Sequence, residues 1–395
     1  MSEKSRKKGL RGGVKPAKRS LPIGGRLDRY VLAHFVQSYL TAMLLMTGLF
    51  MVIDMASNLD DYLETWEDGT SVPAAVLIKF YVLNLPYLFL QVAPFVTLIA
   101  GMFTISKMLK AREVTAVLSA GVSARRMLLP LFASGVALAA GMFFLREALG
   151  HGVAGARDSL RFTLEQQSFD ERYEELDVLE TSGGLVFMRS FFPRPVGGGP
   201  ARIEGLTAIL RSDQSRGVTK YIRTDAAAAT WDEDARTWVL EDGKRRTIDL
   251  DQLSGAPSAQ DVETLEGYLF TPDLALTFKR AVEAPLELSF SEVQELMRRD
   301  PTDTSYQTLW HYHLTFPLAN LILLLVGIPL MFNYERGKGS ERIAIGGLLC
   351  VFYYAADFVF RTLGIKGQLS PLLSAWIPVL IFGAIGVMLY DSLKS

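Results

Sequence analysis

The chain has very little cysteine and histidine, two residue types that stabilise or catalyse in many small soluble proteins. Of its 395 residues only one is a cysteine and four are histidines. A single cysteine excludes an intrachain disulfide, so any exposed domain must be stable without one. Cys350 stands in an apolar run, where we expect a small residue facing lipid or another helix. The formal net charge is −1, which by itself points to no nucleic-acid partner.

Common catalytic motifs are absent as well. The sequence contains no G-x-x-x-x-G-K-S/T phosphate loop, no G-x-S-x-G and no H-E-x-x-H. We therefore predict no catalytic residue, no nucleotide site and no cofactor in this chain. His311 and His313 form an H-x-H pair with no acidic or thiol partner nearby in sequence, so we interpret them as interfacial residues rather than metal ligands. A membrane metalloenzyme that uses both histidines is the alternative.

Six segments are apolar over a length that can cross a bilayer, whose hydrocarbon core of about 30 Å needs about 20 residues. They are Leu32–Ile53, Ala74–Ile105, Met127–Leu145, Leu314–Phe332, Ile343–Phe360 and Pro371–Tyr390. The second contains Pro86 and Pro94, so we expect it to be kinked or tilted. The sequence thus predicts an α-helical membrane protein with six transmembrane helices.

Charge in the connections predicts the orientation. Residues 1–29 form a basic arm with about ten Lys and Arg, and further basic residues follow the second and fourth spans: Lys107, Lys110, Arg112, Arg125, Arg126, Arg336, Lys338 and Arg342. The loop from Asp54 to Val72 has no Lys or Arg and six acidic residues. Because basic loops stay in the cytoplasm, we expect both termini to be cytoplasmic in a bacterial inner membrane. The arm is interpreted as a solvated tail beside anionic lipid rather than a secretory signal.

The domain boundaries follow from this topology. We predict the basic cytoplasmic arm over 1–29, three transmembrane helices over 30–146, a periplasmic domain over 147–301, and three more transmembrane helices over 302–395. Short β-strands are expected in the inserted domain at Glu175–Thr181, Leu185–Phe192, Arg202–Arg211 and Val218–Trp231, with Ala226–Trp231 and Thr237–Glu241 as a hairpin and Asp242-Gly243 as a further turn. Many short strands favour a sandwich or an all-β, jelly-roll-like domain.

Two helices are expected to flank the β domain. Gly152–Gln167 leads out of the membrane, and Ser291–Arg299 precedes the fourth span. Ser291 and Gln294 have the spacing of a capping box. The apolar face of the second helix could pack on its own domain or lie at the membrane surface, and the sequence leaves both open.

Charged residues near the outer ends of the spans are candidates for a substrate path, because charge inside a membrane is costly. Asp357 and Arg361 stand four residues apart, so they could pair with each other or line a cavity. The other candidates are Arg146, Lys79 and Lys366, which could meet anionic headgroups or extend to the interface.

The connection between the second and third spans predicts a short amphipathic helix over Ala111–Ala120. Gly121 would follow it in the C′ position, and Glu113 opens it among basic residues. Its apolar face is formed by Val114, Val117 and Leu118. Such a helix could be an ordinary interfacial loop or could dock an ATPase domain that the chain itself lacks.

Three strings extend these observations to a family. They are RLDRYVLAHFVQSYL from Arg26, PFVTLIAGMFTISKMLKAREVTAVLSAGVSARRMLLP from Pro94, and HLTFPLANLILLLVGIPLMF from His313. The second contains the pattern E-x-T-x-x-x-x-S/A-G-V-S. With the order of three spans, β domain and three spans, the chain resembles the LptF/LptG (YjgP/YjgQ-type) permeases of the lipopolysaccharide export complex over nearly its full length from Asp28.

The resemblance implies a transport subunit rather than an enzyme. In that family two permeases pair and bind a dimer of the ATPase LptB, and lipopolysaccharide leaves the membrane for the periplasmic β proteins LptC and LptA. Here the partner permease would be a second such chain or a copy of this one. The family's ATPase-docking role falls on Glu113, with Arg112, Val114, Val117 and Leu118 around it.

The chain also departs from the family. Family members often carry basic residues near the outer end of the first span, where this chain has Asp54. The phosphate contacts are therefore expected at Arg361, Lys366, Arg146 and Lys79, with Asp357 beside the path. A membrane-anchored binding or assembly protein without a transport role is the alternative function.

Overall fold

The computed structural model describes residues 24–63, 72–150, 153–166, 168–180, 183–194, 199–212, 220–249, 259–332 and 339–393. The basic arm up to residue 23, the acidic residues 64–68, Thr181, Val218, Arg336 and Lys338 lie outside these ranges. The helices are α1 Arg26–Leu63, α2 Ala74–Lys110, α3 Glu113–Ser119, α4 Ala124–Gly150, α5 Val153–Gln166, α6 Pro272–Glu283, α7 Phe290–Arg299, α8 Thr304–Phe332, α9 Gly339–Ile365 and α10 Pro371–Asp391.

The six predicted spans each fall within one long helix. Helices α1, α2, α4, α8, α9 and α10 are long and apolar enough to cross a membrane. Each extends beyond the predicted apolar run because polar residues at the ends continue the backbone hydrogen bonding of the helix. Helix α2 remains a single helix through Pro86 and Pro94.

Close packing around α8 holds the helical bundle together. A Cβ atom on Gly101 of α2 would lie 2.5 Å from Leu324 of α8, and one on Gly135 of α4 would lie 2.8 Å from the same side chain. Small residues thus let three helices approach closely. The buried Thr97 hydroxyl donates to Asn320 Oδ1 over 2.7 Å, which adds a polar contact between α2 and α8. In contrast, no residue in the most apolar window of α1 is fully buried, and Met43, Met46 and Phe50 of this helix pack only partly against the core.

The inserted domain contains one antiparallel sheet. Its strands are β1 Tyr173–Leu179, β2 Leu185–Phe192, β3 Arg202–Ser212, β4 Lys220–Asp232, β5 Thr237–Glu241, β6 Lys244–Asp249 and β7 Ala259–Asp261. They lie in the order β1-β2-β3-β4-β6-β7, with β5 also paired to β4. The predicted hairpin is confirmed, with Trp231 opposite Trp238. Asp242 at φ 55° forms the expected turn before β6.

The core of this domain includes residues from both the sheet and the helices that follow it. Trp238 stacks on Phe270 with ring centroids 5.2 Å apart and donates its indole N–H to the Phe270 carbonyl. Helix α6 was not predicted from the sequence. Thr271 accepts from the Leu274 N–H as its N-cap, and Pro272 occupies the first turn. These two residues were the local signal for the helix.

Helix α7 corrects the predicted capping register. The capping box is formed by Ser289 and Glu292 rather than by Ser291 and Gln294. Starting the helix at Phe290 lets Val293 and Leu296 enter the β-domain core, where both are fully buried. The alternative of a helix at the membrane surface is therefore wrong, because its apolar face is already covered.

Candidate functional site

The predicted amphipathic helix forms α3, which is shorter than the predicted range Ala111–Ala120. It starts two residues later because Arg112 adopts a left-handed conformation, with φ 59°, that separates α3 from α2. At its other end Gly121 has φ 82°. The Gly121 N–H donates to the Leu118 carbonyl and the Val122 N–H to the Val117 carbonyl, at 3.0 and 3.3 Å. This pair of bonds is a Schellman motif, so the C′ glycine is confirmed.

Burial divides α3 into an anchored face and a free face. Val114 is 2% exposed and joins the core of the helical bundle, and Val117 packs partly against it. Arg112 and Leu118 are exposed. The Glu113 carboxylate accepts a hydrogen bond from the Tyr30 hydroxyl of α1 over 2.7 Å. The helix is therefore fixed to the bundle by two valines and leaves a polar and apolar surface open.

A second group of predicted residues meets at the end of the bundle next to the β domain. Asp357 and Arg361 of α9 form an ion pair, with Arg361 Nη1 3.2 Å from Asp357 Oδ2. The Arg361 guanidinium carbon lies 4.5 Å from the centre of the Tyr312 ring. Arg146 of α4 lies 6.0 Å from the same ring and 5.6 Å from that of Phe316. The self-paired interpretation of Asp357 and Arg361 is thus correct, and the pair also stands beside Arg146.

The residues around Arg146 enclose a cavity of about 380 Å³. It is lined by Tyr87, Gln91, Arg146, Arg157, Tyr312 and Phe316, among others. The Arg146 side chain is buried, and its Nη1 atom has no hydrogen-bond partner within the described part of the chain. A buried guanidinium N–H without an acceptor favours an oxygen-rich anion. Sequence reasoning missed Tyr312, Phe316 and Arg157 because only helix packing brings them to this place.

The two predicted lysines stay outside this cavity. Lys79 of α2 and Lys366 after α9 are both exposed, and neither lines the cavity.

Asp54, the acidic residue near the end of the first span, accepts a hydrogen bond from a neighbouring helix. Tyr81 of α2 donates to Asp54 Oδ2 over 2.8 Å, so this carboxylate connects the C-terminal part of α1 to the N-terminal part of α2.

The histidine pair does not form a metal site in the described ranges. No group of three or more His, Cys, Asp or Glu residues there could hold a metal ion. His313 is 1% exposed, and its Nε2 lies 2.7 Å from the Leu288 carbonyl oxygen. His313 is therefore buried within the protein, where it links α8 to the segment before α7, and its place at the membrane interface stays a prediction. His311 is partly exposed and contacts the ring of Trp310.

Ion pairs connect the β domain to the bundle. Arg280 of α6 lies 2.7 Å from Glu292 of α7 and 3.5 Å from Asp158 of α5. Arg157 pairs with Glu287 and places its guanidinium carbon 4.2 Å from the Tyr87 ring centre. Burial raises the pKa of the Asp158 carboxyl, and the neighbouring Arg280 and Arg157 oppose that rise. These contacts fix α5, α6 and α7 relative to one another.

Six apolar spanning helices with a β domain between the third and fourth define a polytopic membrane protein that carries a large extramembrane domain. Residues 29–392 match the family described as lipopolysaccharide export system permease LptF/LptG, and the chain belongs to that family. It is therefore a permease of the lipopolysaccharide export system and a transport subunit. Comparison with curated proteins found no match.

Proposed function

We propose that this chain extracts lipopolysaccharide, or a related glycolipid, from the inner membrane with force supplied by a separate LptB-like ATPase dimer. The observation that carries the proposal is the extent of the family match, which spans both halves of the bundle and the β domain. Both termini and α3 are then cytoplasmic, and the β domain is periplasmic. The acidic connection after α1 and the basic residues beside α3 support this orientation.

Helix α3 is the proposed contact with the ATPase. Glu113 stands at the first turn of α3, and Leu118 is 39% exposed on the free face. A half-buried carboxylate beside exposed apolar surface offers both charge recognition and contact area to a partner. The buried Val114 anchors the helix, so that movement of the partner is passed to the bundle rather than lost in a loose loop.

The cavity around Arg146 is the proposed site for anionic groups of the lipid. Arg146 supplies a donor that has no hydrogen-bond partner among the described residues, whereas Arg361 is partly neutralised by Asp357. We assign the main phosphate contact to Arg146 and a supporting one to Arg361. Lys79 and Lys366 are assigned to the surrounding headgroup region because both are exposed.

The β domain is proposed to be a jelly roll that passes the lipid to LptC- and LptA-like periplasmic proteins. Its seven-stranded antiparallel sheet supports the β-rich character of this domain, while the jelly-roll topology is proposed from the family. A second LptF/LptG-like permease, or a copy of this chain, would complete the transporter. No nucleic acid, metal or cofactor is required for these roles.

Charge reversal at Glu113 tests the proposal. In cells that depend on this chain, Glu113→Arg should abolish recovery of the ATPase with the solubilised complex and stop export. The substitution replaces the negative charge that the partner recognises with a positive one. The matched control is Glu233→Arg, a reversal at an exposed turn of the β domain. If Glu113→Arg leaves cell-envelope assembly intact, or if the wild-type chain purifies without any ATPase, an anchored binding or assembly protein becomes the better explanation.

A further inference from the structure

The α3 end of α1 is bonded directly to the first turn of α3. The Tyr30 hydroxyl donates to Glu113 Oε1 over 2.7 Å, across 83 positions of sequence. The His34 ring lies 4.3 Å from the Tyr30 ring, tilted by 47°. This contact restricts the tyrosine to an orientation that reaches the carboxylate. Tyr30 is 40% exposed and Glu113 is only half-buried, so the carboxylate is still accessible to a partner.

A second polar contact connects α1 to the chain just beyond α3. Arg126, in the first turn of α4, forms two hydrogen bonds to Asp28, at 2.6 and 2.8 Å. Asp28 Oδ2 also accepts the Gly24 N–H over 2.7 Å at the start of α1. Two parallel N–H···O bonds fix both distance and orientation. The bond to Glu113 and the bonds to Arg126 therefore bracket α3 on both sides.

The rest of α1 is attached differently. Val31 and Phe35, next to the bracketing residues, are buried in the bundle core. In its most apolar window no residue of α1 is fully buried, and Met43, Met46 and Phe50 pack only partly against the core. A stiff helix that is packed loosely along its middle passes a displacement of one end along its length, toward the far end that the Tyr81–Asp54 bond connects to α2. Displacement of α3 therefore acts on α1 through Tyr30 and Asp28.

We propose that Tyr30 is a positioning residue, which holds Glu113 for its partner and transmits displacement of α3 to α1, with the Asp28–Arg126 pair as the second attachment. This inference rests on the proposed function, since it needs a partner that moves α3. It assigns α1, rather than the core helices α2 and α8, as the first helix to respond. Tyr30 itself touches neither nucleotide nor lipid in this role.

The Tyr30→Phe variant distinguishes a loss of coupling between α3 and α1 from a folding defect. The full complex, purified with its ATPase and second permease, is placed in phosphatidylethanolamine and phosphatidylglycerol vesicles that carry lipopolysaccharide. ATP hydrolysis and lipopolysaccharide release are then measured on the same sample. We expect the complex to assemble, ATP hydrolysis to change less than about twofold, and lipid released per ATP to fall by about three- to tenfold, as suits the loss of one ordinary, solvent-exposed hydrogen bond. A purely structural role would lower both rates together and leave their ratio unchanged.

Tyr354→Phe is the matched control, because its buried hydroxyl has no hydrogen-bond partner within the described residues. An unchanged ratio of lipid released to ATP hydrolysed in Tyr30→Phe overturns the inference, and so does a proportional loss of both rates. If the Tyr30→Phe complex does not assemble, Asp28→Asn is measured in the same way. An unchanged amount of lipid released per ATP in that variant overturns the inference. A wild-type chain that binds no ATPase would instead overturn the proposed function, and that result is visible before any variant is made.

Discussion

Removing Arg280 should open the junction between the β domain and the membrane bundle. The Arg280 side chain is 9% exposed and lies 2.7 Å from Glu292, which is 4% exposed. It also lies 3.5 Å from Asp158 and donates to the Gly150 carbonyl over 3.2 Å. Arg280→Met keeps much of the side-chain volume, leaves the buried Glu292 carboxylate without its cation and removes one of the cations beside Asp158. Breaking one partner of a buried ion pair costs about 3–5 kcal/mol, so we expect a loss in that range.

The loss at Arg280→Met should depend on pH in a defined direction. The Asp158 pKa is already raised by burial, and loss of Arg280 removes the first of the charges that oppose the rise. A carboxyl with a higher pKa in the folded than in the unfolded state destabilises the fold above the folded pKa and does so less as pH falls. The difference from wild type should therefore be larger at neutral pH than at mildly acidic pH.

Hydrogen exchange of the β-domain amides in detergent is the suitable assay, because a chain with two distinct parts need not unfold in one step. The control is Arg161→Met, whose partner Glu165 shares an exposed pair with both side chains 46% exposed. Such a pair contributes about 0.3–0.5 kcal/mol. If Arg280→Met lowers the free energy of opening by less than about 1 kcal/mol, as little as the control does, the buried ion pairs do not hold this junction.

Two further predictions concern the bundle. Gly364→Ala would place a Cβ atom 2.2 Å from Ser374 Oγ, so overpacking between α9 and α10 should cost about 1–3 kcal/mol in thermal unfolding, whereas Gly347→Ala, with nothing within 4 Å, should cost little. Equal melting temperatures for the two variants would show that the Gly364 contact relaxes freely. Arg146→Gln should weaken lipopolysaccharide binding by about tenfold, as expected for loss of a charged hydrogen bond, and Lys79→Gln by less than about twofold. Titration of the purified protein checks this, and an equal effect of both substitutions would remove Arg146 from its assigned role.

Local features of the sequence were sufficient for the spans and for part of the sheet. A helix in a bilayer satisfies its backbone within itself, so hydropathy over about 20 residues predicts it without knowledge of its neighbours. Strand β2 was predicted with its full bounds, because its alternation and the glycines before it are local signals. Helix α6 was missed because a short polar helix acquires its stability from the sheet that it covers.

The capping register of α7 is a feature that local sequence signals could not determine. Ser291 with Gln294 and Ser289 with Glu292 both have capping-box spacing. The second pair forms because a start at Phe290 directs Val293 and Leu296 into the β-domain core. Tertiary burial, worth more than either cap, chose between two equivalent local patterns.

The sequence by itself determined the six spans, the inserted β-rich domain and the position of the helix between the second and third spans. It also indicated the pairing of Asp357 with Arg361, because four residues is one turn of a helix. Only the tertiary structure brought Arg146 beside that pair and Tyr30 against Glu113, since both contacts join helices that are distant along the chain. Hydropathy indicates whether a segment is more stable in lipid or in water, whereas contacts between particular side chains depend on how the helices pack.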